Sequence, residues 1–392
     1  GVCFTNYVRN YEQIRNTFLD KTQTSKRKIE LLCKRSEFKI KNEGKFFEGI
    51  YFDREGDKDI KKKIKMDSLL ELRDRALLTR KVKKVNGDDK GNEAKDIDKE
   101  EELLENYRKF VERVGEIDNI YDLVEDIKMS GYPEKIEIHI NINDNNPEFK
   151  RAGLEAESFN DLNLKLISII REFKEAQIKG YKESPFIRFI YGRQFNLIIN
   201  ALKGKEKENA KISPFLRFVT NNLIKNEKIK FDYSSENGIY LDTINNCEKY
   251  LQEILKTNDL DLEKIYKQSF IDEKKVGEYK GVYRNHCEQL EKSVFQIFKY
   301  LTNNTPIAQN ILLCNRETSL EELTAFLYRA ILCQYNSCFI IGGVDLLESE
   351  KSSKLIELII IFFNIYKFSF FCWFDFLKKY YQFYFLCLLY NP

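Results

Sequence analysis

Spaced thiols, imidazoles and carboxylates are the raw material of metal sites and most active sites, and this 392-residue chain offers nine cysteines and two histidines. The cysteines stand at positions 3, 33, 247, 287, 314, 333, 338, 372 and 387 with no C-x-x-C pair. Several fall on apolar faces, the pattern of reduced, buried thiols in a cytoplasmic protein. His286 and Cys287 are adjacent, but tetrahedral zinc needs spaced ligand pairs and no second pair lies near them, so no metal site is expected. His139 sits on the polar side of an alternating run without an identifiable catalytic partner, and is expected to face solvent.

Phosphate chemistry is the next possibility, because "TPIAQNILLCNRETSLEELTAFLYRAILC" (305 to 333) reads as a short apolar strand, a polar turn and an amphipathic helix. A nucleotide site there would need a glycine-rich turn followed by Lys-Ser or Lys-Thr, to cradle phosphate and hold magnesium. The turn is instead Cys-Asn-Arg-Glu-Thr. Asp345 follows an apolar strand as a Walker B aspartate does, yet no second acid comes directly after it, and a strand-end turn is the expected role. No cofactor and no catalytic residue are therefore assigned to this chain.

Charge adds little: Lys and Arg total 65 against 62 Asp and Glu, a net charge of +3. The lysines of 61 to 65 lie among Asp57, Asp59 and Asp67, so a solvated face is expected rather than a nucleic-acid interface. Protein partners are the expected class. Two related stretches, "SPFIRFI" at 184 and "SPFLRFV" at 213, each read as a serine cap and a first-turn proline opening a helix with an aromatic and basic face. If that face is exposed, Phe186, Arg188, Phe189, Tyr191 and Arg193 are the candidate partner-binding residues; if buried, they fill a helical core.

The elements that would position these residues make a mainly α protein with a small α/β part. Residues 1–81 read as an N-terminal helical segment, with helical patterns over 7–35 and 67–80. Residues 82–100, almost without apolar side chains, read as a flexible linker. A helical region over 101–304 follows, carrying the apolar stripe Leu103, Leu104, Tyr107, Phe110, Val111 and Val114. Near 135–143, Ile136, Ile138, Ile140 and Ile142 alternate with polar residues, which predicts a strand with one buried face. Residues 305–357 form a small β-α-β-α unit with a parallel strand pair, its second helix starting at Ser349.

The two ends read differently from the middle. Gly1 in place of Met, followed at once by a charged helical pattern, suggests a piece of something longer. The hydrophobic tail, 358–392, is rich in Phe, Tyr, Ile and Leu but interrupted by Lys367, Asp375, Lys378 and Lys379. No uncharged run reaches the length of a membrane helix, so the tail is read first as spurious translation outside the fold, with a membrane anchor as the alternative.

Five stretches in order resemble one family. They are "SLLELRDRALL" (68 to 78), "FVERVGEIDNIYDLVEDIKMSGYP" (110 to 133), "SPFIRFIYGRQF" (184 to 195), "EYKGVYR" (278 to 284) and the run from Thr305 to Glu348. Together they resemble the mysterin-like giant AAA+ E3 ubiquitin ligases, in the divergent form found in large fungal families. The resemblance spans roughly residues 60 to 350 and implies the helical region that leads into an AAA core, with 305–357 at the edge of that core. It implies ubiquitin-system partners in the cytoplasm. The family's ATP-binding loops, RING finger and other zinc-binding elements match nothing in this sequence, so the resemblance implies a noncatalytic scaffold or coupling fragment. The alternative is a stand-alone helical adaptor.

Overall fold

The computed structural model describes residues 23–55, 58–86, 94–143, 147–150, 156–203, 206–225, 240–271, 290–366 and 385–389. The fold is mainly helical with a minor sheet component. It divides into two compact units, one of residues 1–128 and 134–170, the other of 129–133 and 171–392.

The first unit is built on an antiparallel sheet. After helix α1 (23–34) come β1 (Ser36–Lys41), β2 (Phe47–Glu55) and β3 (Lys58–Ile64), then α2 (Met66–Asn86) and α3 (Ala94–Met129), and β4 (Glu137–Ile140) and β5 (Glu148–Lys150). The strand order is β3-β2-β1-β4-β5. β1 alternates strictly, burying Ser36, Phe38 and Ile40, and it pairs with β4 so that Phe38 faces Ile140 and Ile40 faces Ile138. Ile136, Ile138, Ile140 and Ile142 are all buried, so the isoleucine alternation does mark one inward face. Helix α3 lays Tyr107, Phe110, Val114, Ile117, Ile120, Val124 and Ile127 inward at helical spacing. Its Tyr121 ring meets Phe46 and Phe47 edge-on, and Arg73 of α2 reaches Asp118 at 2.7 Å.

Two expectations for this region are corrected. The stretch 1–81 is not wholly helical, because 36–64 forms a three-stranded meander; residues 1–22 lie outside the described residues. β3 hides its nature from a periodicity search. As an edge strand it exposes Lys58, Asp59, Ile60, Lys61 and Lys63, and lysines on an edge discourage pairing with other chains. The proposed linker 82–100 is also shorter: α2 continues to Asn86 and α3 begins at Ala94, leaving 87–93 outside the described residues. Lys, Glu and Ala are strong helix formers, so a charged sequence can extend a helix whose packed part lies elsewhere.

The second unit contains the β-α-β-α region expected over 305–357. α4 (Phe159–Glu183) runs up to it in sequence from the first unit. α5 (Arg193–Leu202), α6 (Glu206–Val219), α7 (Tyr240–Thr257), α8 (Leu262–Tyr266) and α9 (Leu290–Thr302) precede β6 (Ile311–Leu313), α10 (Leu320–Ile331), β7 (Cys338–Gly342) and α11 (Ser349–Tyr366). β6 and β7 are parallel, with Ile311 beside Ile340 and Leu312 beside Ile341. The apolar face Leu323, Phe326, Leu327, Ala330 and Ile331 of α10 is buried.

Two further corrections fall here. Neither SPF stretch opens a helix: Ser184 closes the last turn of α4 by donating its N–H to the Gly180 carbonyl, and Pro214 sits inside α6. The tail does not stay outside the fold either, since 358–366 continue α11 and β8 (Phe385–Leu389) pairs antiparallel with β7. A fully apolar β7 with only one neighbour would leave an open edge, and the equally apolar "FLCLL" satisfies it. Residues 367–384 and 390–392 lie outside the described residues.

Asn42, 4% exposed, ties β1 to the entry of β4 by donating to the Glu134 carbonyl and accepting from the Ile136 N–H, both at 2.8 Å. Asn42→Ala removes both of these bonds and is expected to lower stability by about 2 kcal/mol in urea unfolding.

Candidate functional site

The five residues singled out by type come together around the end of α4. Pro185 has no N–H to continue the helix and disfavours helical geometry in the residue before it, so the chain turns out of α4 into a single 3-10 turn at Ile187–Phe189. The turn's freed donor finds a buried carboxylate, Glu248 of α7, which accepts the Ile187 N–H at 2.9 Å. Burial raises the Glu248 pKa, opposed by the bonds it accepts from Gln252 and from backbone N–H groups. Gly180 lets α4 approach α7 closely, since a Cβ there would stand 2.7 Å from the Ile244 Cγ2 atom.

Arg188 then projects back across the helix ends. It donates to the carbonyls of Tyr181 and Lys182 in the last turn of α4, at 2.8 and 3.3 Å, and to Leu332 at the end of α10, at 2.7 Å. One guanidinium thus caps two helices where their unsatisfied carbonyls and negative dipole ends favour a cation. Arg329 of α10 returns the contact. Its Nη1 donates to the Arg188 carbonyl at 2.7 Å, while Nε and Nη2 both donate to the Gln309 carbonyl, just before β6. The Arg329 guanidinium lies 5.0 Å from the Phe189 ring centre and 5.2 Å from that of Phe326. Phe189 also stacks on Tyr266.

The remaining candidates differ in where they point. Phe189 is fully buried, and the Tyr191 hydroxyl donates to Glu322 of α10 at 3.0 Å. Burial and the neighbouring Glu322 push the Tyr191 hydroxyl up to about 12, so it stays protonated as the donor. Phe186 and Arg188 are half-buried, and Arg193 is exposed beside Met129. Glu248 and Arg329 escaped the sequence reading. Arg329 had a signal, because it interrupts the apolar face of α10 three residues after Phe326, whereas Glu248 has none.

The turn at the start of α10 is filled by its own side chains. Asn315 Oδ1 accepts the N–H groups of Glu317 and Thr318, Thr318 Oγ1 accepts the N–H of Asn315, and Ser319 Oγ accepts that of Glu322. Ser319, one of the two expected caps, is the N-cap. Asp345 lies in a 3-10 turn entered through Gly343, whose φ of 71° is left-handed.

No family model, curated protein or solved structure matches the chain.

Cys33, Cys247, Cys314, Cys333 and Cys338 are free thiols. Burial pushes Cys33 and Cys333 up to about 11 and Cys314 to about 12, and also raises Cys247, which opposes the thiolate form that nucleophiles and metal ligands need. Among the described residues no group of three or more His, Cys, Asp and Glu side chains could hold a metal, and no helix is long and apolar enough to cross a membrane. His286 and Cys287 lie outside the described residues. In the first unit His139 does have a partner, Glu137 at 2.8 Å, which Lys41 also contacts at 3.0 Å.

Two predictions follow from these contacts. His139 and then Lys41 hold the Glu137 carboxyl at about 2, below its ordinary 4.5. A depressed carboxyl stabilises the fold fully above about pH 4.5 and loses that contribution as pH falls towards 2, so Glu137→Gln should flatten the acid limb of a pH-stability curve. Arg188→Met and Arg329→Met should each cost about 3 kcal/mol, by uncapping buried carbonyls, and a double-mutant cycle should give a coupling of more than about 0.5 kcal/mol. Strict additivity in urea unfolding would contradict the reciprocal contact.

Proposed function

We propose that this chain is a noncatalytic scaffold and coupling segment of a mysterin-like AAA+ E3 ubiquitin ligase. One observation carries the reading: Arg188 caps α10 through Leu332 while Arg329 of α10 binds the Arg188 carbonyl, so the 184–193 segment and the β-α-β-α unit are tied in both directions. Tyr191 to Glu322 adds a second tie between the same pieces, and Lys174 to Glu321 ties α4 itself to α10. A segment that transmits movement between a helical arm and a nucleotide-driven core needs such a rigid joint, and needs no active site of its own.

The filled turn before α10 supports the noncatalytic half of the proposal. A phosphate cradle works because backbone N–H groups at a helix N-terminus are left open, and here Asn315, Thr318 and Ser319 occupy them. Glu321 and Glu322 in the first turn favour the positive helix end themselves and would repel a nucleotide. The inward contacts of Arg188, Phe189 and Tyr191 weigh against the stand-alone adaptor, which needs that face available. Buried free thiols suit a reducing cytoplasm, and ubiquitin-system proteins are the proposed partners.

The deciding experiment is long-read sequencing of the transcripts. An in-frame continuation encoding a glycine-rich loop with Lys-Ser or Lys-Thr supports the ligase segment, whereas independent transcripts that stop without one support the adaptor. The purified chain should hydrolyse no ATP in the presence of magnesium; release of phosphate from ATP above the no-protein control would overturn the noncatalytic reading.

A further inference from the structure

Arg329 poses a problem of charge that its hydrogen bonds do not solve. It is 4% exposed, and its hydrogen bonds among the described residues go to the neutral carbonyls of Gln309 and Arg188. Carbonyls satisfy N–H groups but leave the positive charge in place, and a buried charge is costly unless an opposite charge accompanies it. Among the described residues no carboxylate lies within ion-pair distance of this guanidinium; Glu322 acts on it only at longer range and accepts the Tyr191 hydroxyl. Of five N–H donors, three are taken, which leaves two without an acceptor among the described residues.

The same guanidinium forms part of the wall of a cavity of about 230 Å³. Lys182 and Arg188 bring two further cations to that wall, and Glu183 is the one acid among its lining residues. Tyr266, Gln334 and Tyr335 add groups able to donate hydrogen bonds, while Leu262 supplies an apolar side. The surplus charge favours a doubly charged ligand over a singly charged one. The volume of about 230 Å³ falls below the roughly 300 Å³ at which drug-sized pockets begin, so the cavity suits a single tetrahedral group rather than a whole nucleotide enclosed.

We propose that the cavity between the end of α4, the start of α8 and the end of α10 binds a small dianionic oxyanion, inorganic phosphate or a phosphomonoester head, against Arg329, Arg188 and Lys182. Guanidinium groups present parallel donors to such an oxyanion, and its charge would supply the partner that Arg329 lacks. The site touches the carbonyl exchange that joins 184–193 to α10, so a bound anion would stiffen that joint. The inference does not depend on the ligase reading, because the transcript result leaves the cavity unchanged.

The test uses the full chain and inorganic phosphate at constant ionic strength, followed by calorimetric titration and Tm. Phosphate should bind saturably and raise Tm. Lys182→Gln, a neutral change at an exposed position, should shift the ligand-free Tm little and weaken phosphate binding by about fivefold or more. Leu262→Trp, which fills the cavity, should abolish the shift. The proposal is overturned if phosphate gives no saturable binding, or if both variants bind it as the parent chain does, which would place the anion elsewhere. Succinate binding as tightly as phosphate would overturn the assignment to a tetrahedral dianion, and a phosphomonoester binding more tightly than phosphate would identify the head-group source.

Discussion

Helix ends must satisfy carbonyls that no intrahelical N–H can reach, and in the second unit that constraint is met by one side chain serving two helices. Arg188 covers Tyr181 and Lys182 at the end of α4 and Leu332 at the end of α10. Everything near it follows from holding that guanidinium in place. Pro185 ends α4 so that the chain can turn, Glu248 takes the N–H released by the turn, and Tyr181 donates its hydroxyl to the Ile190 carbonyl to close the loop. Arg329 then fixes the Arg188 backbone itself. Lysine could not replace either arginine, because a single ammonium cannot spread planar donors over carbonyls from separate elements.

Close backbone approach is the second condition for this joint. Gly131 and Gly192 both have left-handed φ values, and a Cβ on Gly131 would fall 1.8 Å from the Gly192 carbonyl oxygen. The 129–133 segment can therefore lie directly on the start of α5, where Gln177 donates to the Ser130 carbonyl. Tyr132, Phe173 and Tyr240 pack edge-to-face beside it, and Phe195 extends the cluster from Phe173. Such geometry tolerates little rearrangement, since aromatic pairs and backbone contacts have steep distance dependence.

How much of this was legible in the sequence depends on whether one residue's role is set by its neighbours in the chain. The isoleucines of β4 and the α10 stripe were readable because burial repeats with the period of the element. β3 was not, since an edge strand of lysines has no buried face to give it a period, and its partner β2 has apolar residues on both faces. The SPF stretches misled for a related reason: a proline can open a helix, end one or sit within one, and only the surrounding contacts decide which. The candidate site was half legible. Arg188, Phe189 and Tyr191 do pack or bond into the joint with α10, Phe186 is half-buried and Arg193 is exposed beside Met129, but Glu248 and Gln309 enter from far along the chain, and nothing local marks them.

The stretch 305–348 shows what its polar residues are for. Asn310 donates to the Cys338 carbonyl, Gln309 lends its carbonyl to Arg329, and Asn315, Thr318 and Ser319 bind neighbouring N–H groups, while Glu322 holds Tyr191. A catalytic turn keeps its donors open for a ligand; this one closes them on itself. Polar residues at an α/β turn are therefore not evidence of chemistry until their partners are known. Here most of those partners are the chain's own backbone, and the buried Arg329, in the last turn at the far end of the helix, lines a cavity there instead.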